Sequence, residues 1–265
     1  MGEVKPSLMT FKDKWTFPVN TVILTALGVG GATVLGGAIG LIFHRTSKKF
    51  CDVVLSFAAG VMLAASMLGL ILPSLEYGGR YAVWITVFGI FFGALCVNLL
   101  DLLIPHVGLS KNIDGADREK IYGVFLFVMA IALHNLPEGV AAGVGLGTDN
   151  PTDAILIATA IALQNIPEGL IVTVAMLGVG VGRLRAFLIS SVTGVIEIVG
   201  TFIGFFAVSI SSAILPLILA FAGGTMLYVI SEEMIPQTHS DSDGKLSTYF
   251  LLIGFCFMLI LNALL

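Results

Sequence analysis

Residues 121–146 read IYGVFLFVMAIALHNLPEGVAAGVGL, and residues 154–179 read AILIATAIALQNIPEGLIVTVAMLGV. Each run carries a single acidic residue, a glutamate inside a Pro-Glu-Gly triplet near its middle, and is otherwise dominated by aliphatic and small side chains. A helix needs about 20 such residues to cross ~30 Å of hydrocarbon. Hydrophobicity is continuous along both runs, not alternating, which disfavours a β-barrel. In lipid the backbone must satisfy its own hydrogen bonds, so each run is predicted to be a transmembrane helix.

Working outward, six further apolar runs of comparable length follow the same logic. The eight predicted spans cover residues 21–43, 52–75, 83–104, 121–146, 154–179, 184–210, 215–231 and 247–265. The fold class expected is an all-α polytopic membrane protein, organised as one integrated domain over residues 1–265, because no loop is long enough to hold a soluble domain. Composition agrees: 57% of the 265 residues are hydrophobic and only 11% are charged, against about 25% charged in a soluble domain. That excludes an ordinary soluble enzyme. A net charge of -4 excludes nucleic acid as a partner, since phosphate binding calls for a basic face. Small residues at close spacing, such as Gly28, Gly30 and Gly31 or Gly36 and Gly37, are suited to close helix approach. The three cysteines, Cys51, Cys96 and Cys256, are widely spaced and odd in number, so they read as packing residues and not as a disulfide or zinc framework.

Orientation follows from the basic residues of the loops. One set of alternate loops holds nine of the thirteen Lys and Arg residues, including Arg45, Lys48, Lys49, Lys111, Arg118 and Lys120. Those loops are expected in the cytoplasm, with both termini outside the cell membrane and residues 1–20 forming a polar extracytoplasmic tail. That tail lacks the apolar core of a secretory signal.

The chemistry lies at mid-membrane. His134-Asn-Leu-Pro-Glu-Gly139 and Gln164-Asn-Ile-Pro-Glu-Gly169 are one motif repeated 30 residues apart. An ionisable side chain at the bilayer centre costs ~2.5–3.5 kcal/mol on insertion scales and marks a functional path. Glu138 and Glu168 on adjacent helices would repel each other if both were ionised, and a bound cation relieves both penalties. His134 and Glu138 are four residues apart and so share a helical face, as do Gln164 and Glu168. Pro137 and Pro167 free the carbonyls of Leu133 and Leu163 beside them, and Asn135 and Asn165 add neutral oxygens. Imidazole, carboxylate and amide oxygen suit Zn²⁺, Fe²⁺ or Mn²⁺ better than Cu(I), which prefers thiolates. Glu197 is a third mid-membrane carboxylate, placed to complete a two-metal site.

At these residues the chain resembles the Zrt/Irt-like (ZIP) metal-ion transporters, and the Gln164-Asn-Ile-Pro-Glu-Gly169 variant resembles their GufA-type subgroup. The resemblance runs over the whole chain. It implies a 3+2+3 arrangement of helices, with the first and last three related by an inverted repeat, and inward movement of divalent metal through a binuclear site. It also implies a homodimer, with Zn²⁺ or another divalent ion as cargo and no catalytic cofactor. By matching motifs, His134, Glu138, Gln164 and Glu168 would hold the first metal. Asn135, Asn165 and Glu197, with Glu138 and Glu168 shared, would hold the second. Met62 matches a soft ligand position near the first. Gln164 stands where many members carry histidine, and Asn165 where some carry aspartate, which implies broader specificity over Zn²⁺, Cd²⁺, Mn²⁺ and Fe²⁺. The histidine-rich loop of many members is missing, since residues 109–120 contain no His.

Polar residues predicted at the cytoplasmic ends of helices three and seven, namely Asp101, His106, Glu232, Glu233 and His239, suggest a release path. The main rival reading is an intramembrane metal-dependent hydrolase using a metal-activated water. It is disfavoured because no His-Glu-x-x-His pattern occurs.

Overall fold

The computed structural model describes residues 19–43, 46–102, 115–146, 151–210, 212–239 and 244–264. Eight helices in it are long and apolar enough to cross a membrane. They are α1 (Val19–Ile42), α2 (Lys48–Tyr77), α3 (Ala82–Asp101), α4 (Gly115–Gly145), α5 (Pro151–Gly178), α6 (Arg183–Ile210), α7 (Leu215–Thr238) and α8 (Gly244–Leu264). The predicted all-α polytopic architecture is the observed one.

Two helices depart from a regular α-helix, and in equivalent places. α2 widens to a π-turn over Ser66–Ile71, and α7 does so over Ile230–Met234. Leu72 N–H reaches Met67 O and Ile235 N–H reaches Ile230 O, five residues back in each case. Each turn lies just before a proline, Pro73 or Pro236. A proline has no N–H to give and its ring crowds the preceding turn, so a wider turn accommodates it without breaking the rod. For this reason α7 does not stop at 231 as the apolar run suggested. It carries Glu232 and Glu233 inside the helix and ends at Thr238. Likewise α2 begins at Lys48 and α4 at Gly115, ahead of their apolar runs, since a helix ladder ignores the polarity that ends a hydrophobic count.

Packing separates the helices into two groups. α1 lies most extensively against α5 and α6, and α4 against α6, while α2 pairs with α8 and α3 with α7. Exchanging α1, α2 and α3 with α6, α7 and α8, and α4 with α5, leaves this pattern unchanged. Helices five apart in the chain run in opposite directions through the membrane, so the exchange is an inverted repeat, as the family resemblance implied. α2, α5 and α7 are the most enclosed rods, and α3 and α8 are the most exposed. α3 turns Trp84, Phe88, Phe91 and Leu95 outward, where lipid would meet them.

The motif glycines fix how close the central helices come. A Cβ on Gly139 would overlap the carbonyl of Glu197 on α6, and one on Gly169 would overlap the carbonyl of Thr33 on α1. These two contacts are partners under the repeat. Without a driving force from water, such close backbone approach is what holds membrane helices together.

Candidate metal centre

The two motifs meet at mid-bundle, where Pro137 and Pro167 lie inside α4 and α5. His134, Asn135, Glu138, Gln164, Asn165, Glu168 and Glu197 are all buried. They divide into two clusters with opposite hydrogen-bond status.

The first cluster surrounds a small cavity lined by His134 and Glu138 from α4, Glu168 from α5, and Glu233 from α7, with apolar walls from Leu55, Phe127, Ile131 and Val229. Its volume is about 20 Å³, near the minimum for one water-sized occupant. Glu168 is acted on electrostatically by both Glu138 and Glu233. His134 Nε2 stands 3.1 Å from Glu233 Oε1, but it is not aligned for a hydrogen bond. Glu138 Oε2 has no hydrogen-bond partner, and the Gln164 side chain lies beside Glu138. Leaving buried polar atoms unmatched is costly, at ~1–3 kcal/mol each. Several of them border this one cavity.

In the second cluster both carboxylate oxygens of Glu197 are matched. Glu197 Oε1 accepts from Thr33 Oγ1 at 2.7 Å and from Asn135 Nδ2, and Glu197 Oε2 accepts from Asn165 Nδ2. Asn165 Nδ2 also donates to Val29 O at 3.1 Å. One carboxylate on α6 thereby ties α1, α4 and α5 together. The amide oxygens of both asparagines remain unpaired. They are the atoms a hard cation would use.

The sequence-predicted residues fall unevenly on this plan. His134, Glu138 and Glu168 line one cavity, and Gln164 lies beside it. Asn135, Asn165 and Glu197 share the hydrogen-bonded cluster. Met62 is buried in the central apolar core with Leu55, Ala58, Ala59 and Met226, and is not among the residues lining the cavity. Glu233, predicted at the end of helix seven, is instead inside α7 and against His134. The π-turn explains the difference: Glu233 precedes Pro236 by three residues and lies in the widened segment, a feature that an apolar count does not register. Glu232 is exposed. His239 caps the end of α7, with Nδ1 2.9 Å from Ile235 O and Nε2 3.0 Å from Thr248 Oγ1 on α8. His106 and the side chain of Asp101 lie outside the described residues. Among the described residues, no three His, Cys, Asp or Glu side chains stand close enough together to hold a metal by themselves. A site here needs the amide oxygens as well.

Fold and site together define a polytopic helical membrane protein with an acidic cavity, bordered by unpaired polar atoms, between two helices that each carry an internal proline. Comparison with known proteins specifies the family. The family model described as ZIP zinc transporter matches residues 110–262. The zinc transporter GufA of Myxococcus xanthus is 36% identical over 246 residues, covering 91% of this chain and 97% of its own length. The zinc transporter ZIPB of Bordetella bronchiseptica is 36% identical over 240 residues, covering 87% of this chain and 77% of its own. The zinc transporter ZupT of Chlorobaculum parvum is 32% identical over 252 residues, covering 89% and 92% respectively. The chain belongs to the ZIP zinc transporter family, and within it is similar to the GufA type.

Proposed function

We propose that this protein moves Zn²⁺, and with it Cd²⁺, Mn²⁺ and Fe²⁺, into the cytoplasm through a binuclear site between α4 and α5. The observation that carries the reading is the cavity in which His134, Glu138, Glu168 and Glu233 converge, bordered by the unpaired Glu138 Oε2 and the Gln164 amide. The first metal is held by His134, Glu138, Gln164 and Glu168. The second draws on Asn135, Asn165 and Glu197, with the two motif glutamates shared, and the unpaired asparagine oxygens support that assignment. Met62 is a weaker candidate, supported by its sequence position alone.

The cation sheds most of its water at the outer mouth, because the cavity has no room for a hydration shell. The glutamates neutralise its charge, and the loaded site then crosses the apolar barrier by alternating access, as in other repeat-built carriers. The packing of α1, α4, α5 and α6 into one group, fastened by Glu197, supports a movement of that group against α2, α3, α7 and α8. Release runs toward Glu232, Glu233 and His239, and Asp101 and His106 are assigned to the same path by sequence position alone. Both termini face away from the cytoplasm, in keeping with the distribution of Lys and Arg. The whole chain acts as a single domain in the cell membrane, paired as a homodimer. Metal is cargo in this scheme and no reaction is catalysed.

Reconstituted liposomes loaded with a zinc indicator test the proposal. Wild-type protein should give zinc uptake, with Cd²⁺, Mn²⁺ and Fe²⁺ compared in parallel, and Glu138→Ala should reduce it to the level of empty liposomes. Near-normal uptake by Glu138→Ala would remove the site from the transport path.

A further inference from the structure

A second, larger cavity of about 520 Å³ lies beyond the mid-membrane one. It is lined by Lys48, Cys51 and Asp52 at the start of α2, by Gly123 and Val124 of α4, and by Val174 and Ala175 of α5, among others. The two cavities adjoin at Phe127 and Gln237, the residues common to the linings of both. Phe127 precedes His134 by seven residues on α4, about two helical turns or ~10 Å along the axis. Gln237 follows Glu233 by four residues, one turn further along α7. Phe127 also packs against two apolar clusters, the central core and the one formed by Val128, Ile131, Val172 and Met176.

The two volumes differ in what they can hold. A cavity needs roughly 10–15 Å³ of such space to hold one water, so the larger cavity accommodates a divalent ion with its first hydration shell. The smaller one has room for little more than the ion or one water.

The geometry points to Phe127 and Gln237 as the partition where the transported ion exchanges protein ligands for water, with the Phe127 ring as the barrier and Gln237 as its polar edge. This inference rests on the metal-transport reading above for its cargo, although the barrier itself is defined by the two cavities. An aromatic ring offers a divalent cation no strong ligand, so the ion cannot rest there. It passes only when ring and amide move apart. While they are closed, ligand atoms at mid-membrane are shielded from bulk water on that side. Phe127 is therefore a positioning residue that controls access and not one that binds metal.

Thiol labelling tests the barrier without using metal. Ile131 lines the small cavity and not the large one, whereas native Cys51 lines the large one. In a Cys96→Ser, Cys256→Ser background, purified protein carrying Ile131→Cys is treated with a cationic methanethiosulfonate, and labelling at positions 51 and 131 is resolved by peptide mass spectrometry. Position 51 should react quickly with or without further change. Position 131 should react slowly, and adding Phe127→Ala should speed it by about tenfold while position 51 changes by less than about twofold. Phe127→Leu, which keeps a bulky apolar group, should fall between the two. In liposomes Phe127→Trp should slow zinc flux severalfold, with zinc affinity in detergent unchanged. Equal labelling at position 131 with and without the ring, or wild-type flux in Phe127→Trp, overturns the inference. Should Glu138→Ala retain zinc binding while the labelling contrast holds, it is the metal site that fails and not the partition.

Discussion

Glu138 and Glu197 are fully buried carboxylates on adjoining helices, α4 and α6, and they have opposite surroundings. Glu197 receives three hydrogen bonds, from Thr33, Asn135 and Asn165. Glu138 keeps an unpaired oxygen beside a cavity that also holds His134, Glu168 and Glu233. A carboxylate matched by neutral donors is part of the scaffold, since its desolvation is offset by bonds within the protein. One left unmatched among like charges is tolerable only if something positive fills the gap. The same residue type thus stands in two different surroundings, one carboxylate matched by donors and the other left with an open oxygen.

The contrast can be broken most decisively at Glu197. Glu197→Ala strands the buried Asn135 amide and Thr33 hydroxyl, at ~1–3 kcal/mol each, and leaves Asn165 Nδ2 with Val29 O alone. The metal-free variant should therefore unfold at markedly lower temperature in detergent. Glu138→Gln removes a repelled charge, so under the same conditions it should match or exceed wild type. Equal destabilisation by both would show that the two clusters are not distinct in kind. A smaller effect is expected at Gln164. Gln164→His replaces a neutral amide by an imidazole beside Glu138 and should tighten zinc binding by about tenfold, measured by calorimetry, with less gain for Mn²⁺. Unchanged zinc affinity would place position 164 outside the first coordination sphere. The smallest effect belongs to Thr33→Val, which deletes one of three hydrogen bonds to Glu197 and should cost ~0.5–1.5 kcal/mol of stability with zinc affinity preserved. A large loss of affinity there would mean that the Thr33 hydrogen bond is needed to orient Glu197 toward metal.

The two halves of the site were unequally legible in sequence. His134, Glu138, Gln164 and Glu168 stand out because packing in lipid gives no reason for polar side chains at helical spacing inside an apolar run. Glu233 did not, because it sits in a run of polar residues that looks like a helix end. Only the π-turn before Pro236 turns it back toward His134. Thr33 was equally hidden: a threonine in a membrane helix is unremarkable until the inverted repeat places it opposite Glu197. Phe127 looks like any other lipid-compatible aromatic, and its position between two cavities is a property of several helices together.

The amino-acid sequence on its own determined the number of spans, their helical character and the family, because each depends on hydrophobicity and local spacing along one stretch of chain. Tertiary structure alone decided which buried acids are matched by donors and which are left open, since that depends on atoms contributed by helices more than a hundred residues apart, such as Thr33 and Glu197. Hydrogen-bond matching requires angstrom-scale placement between rods, and spacing along a single rod carries no record of it.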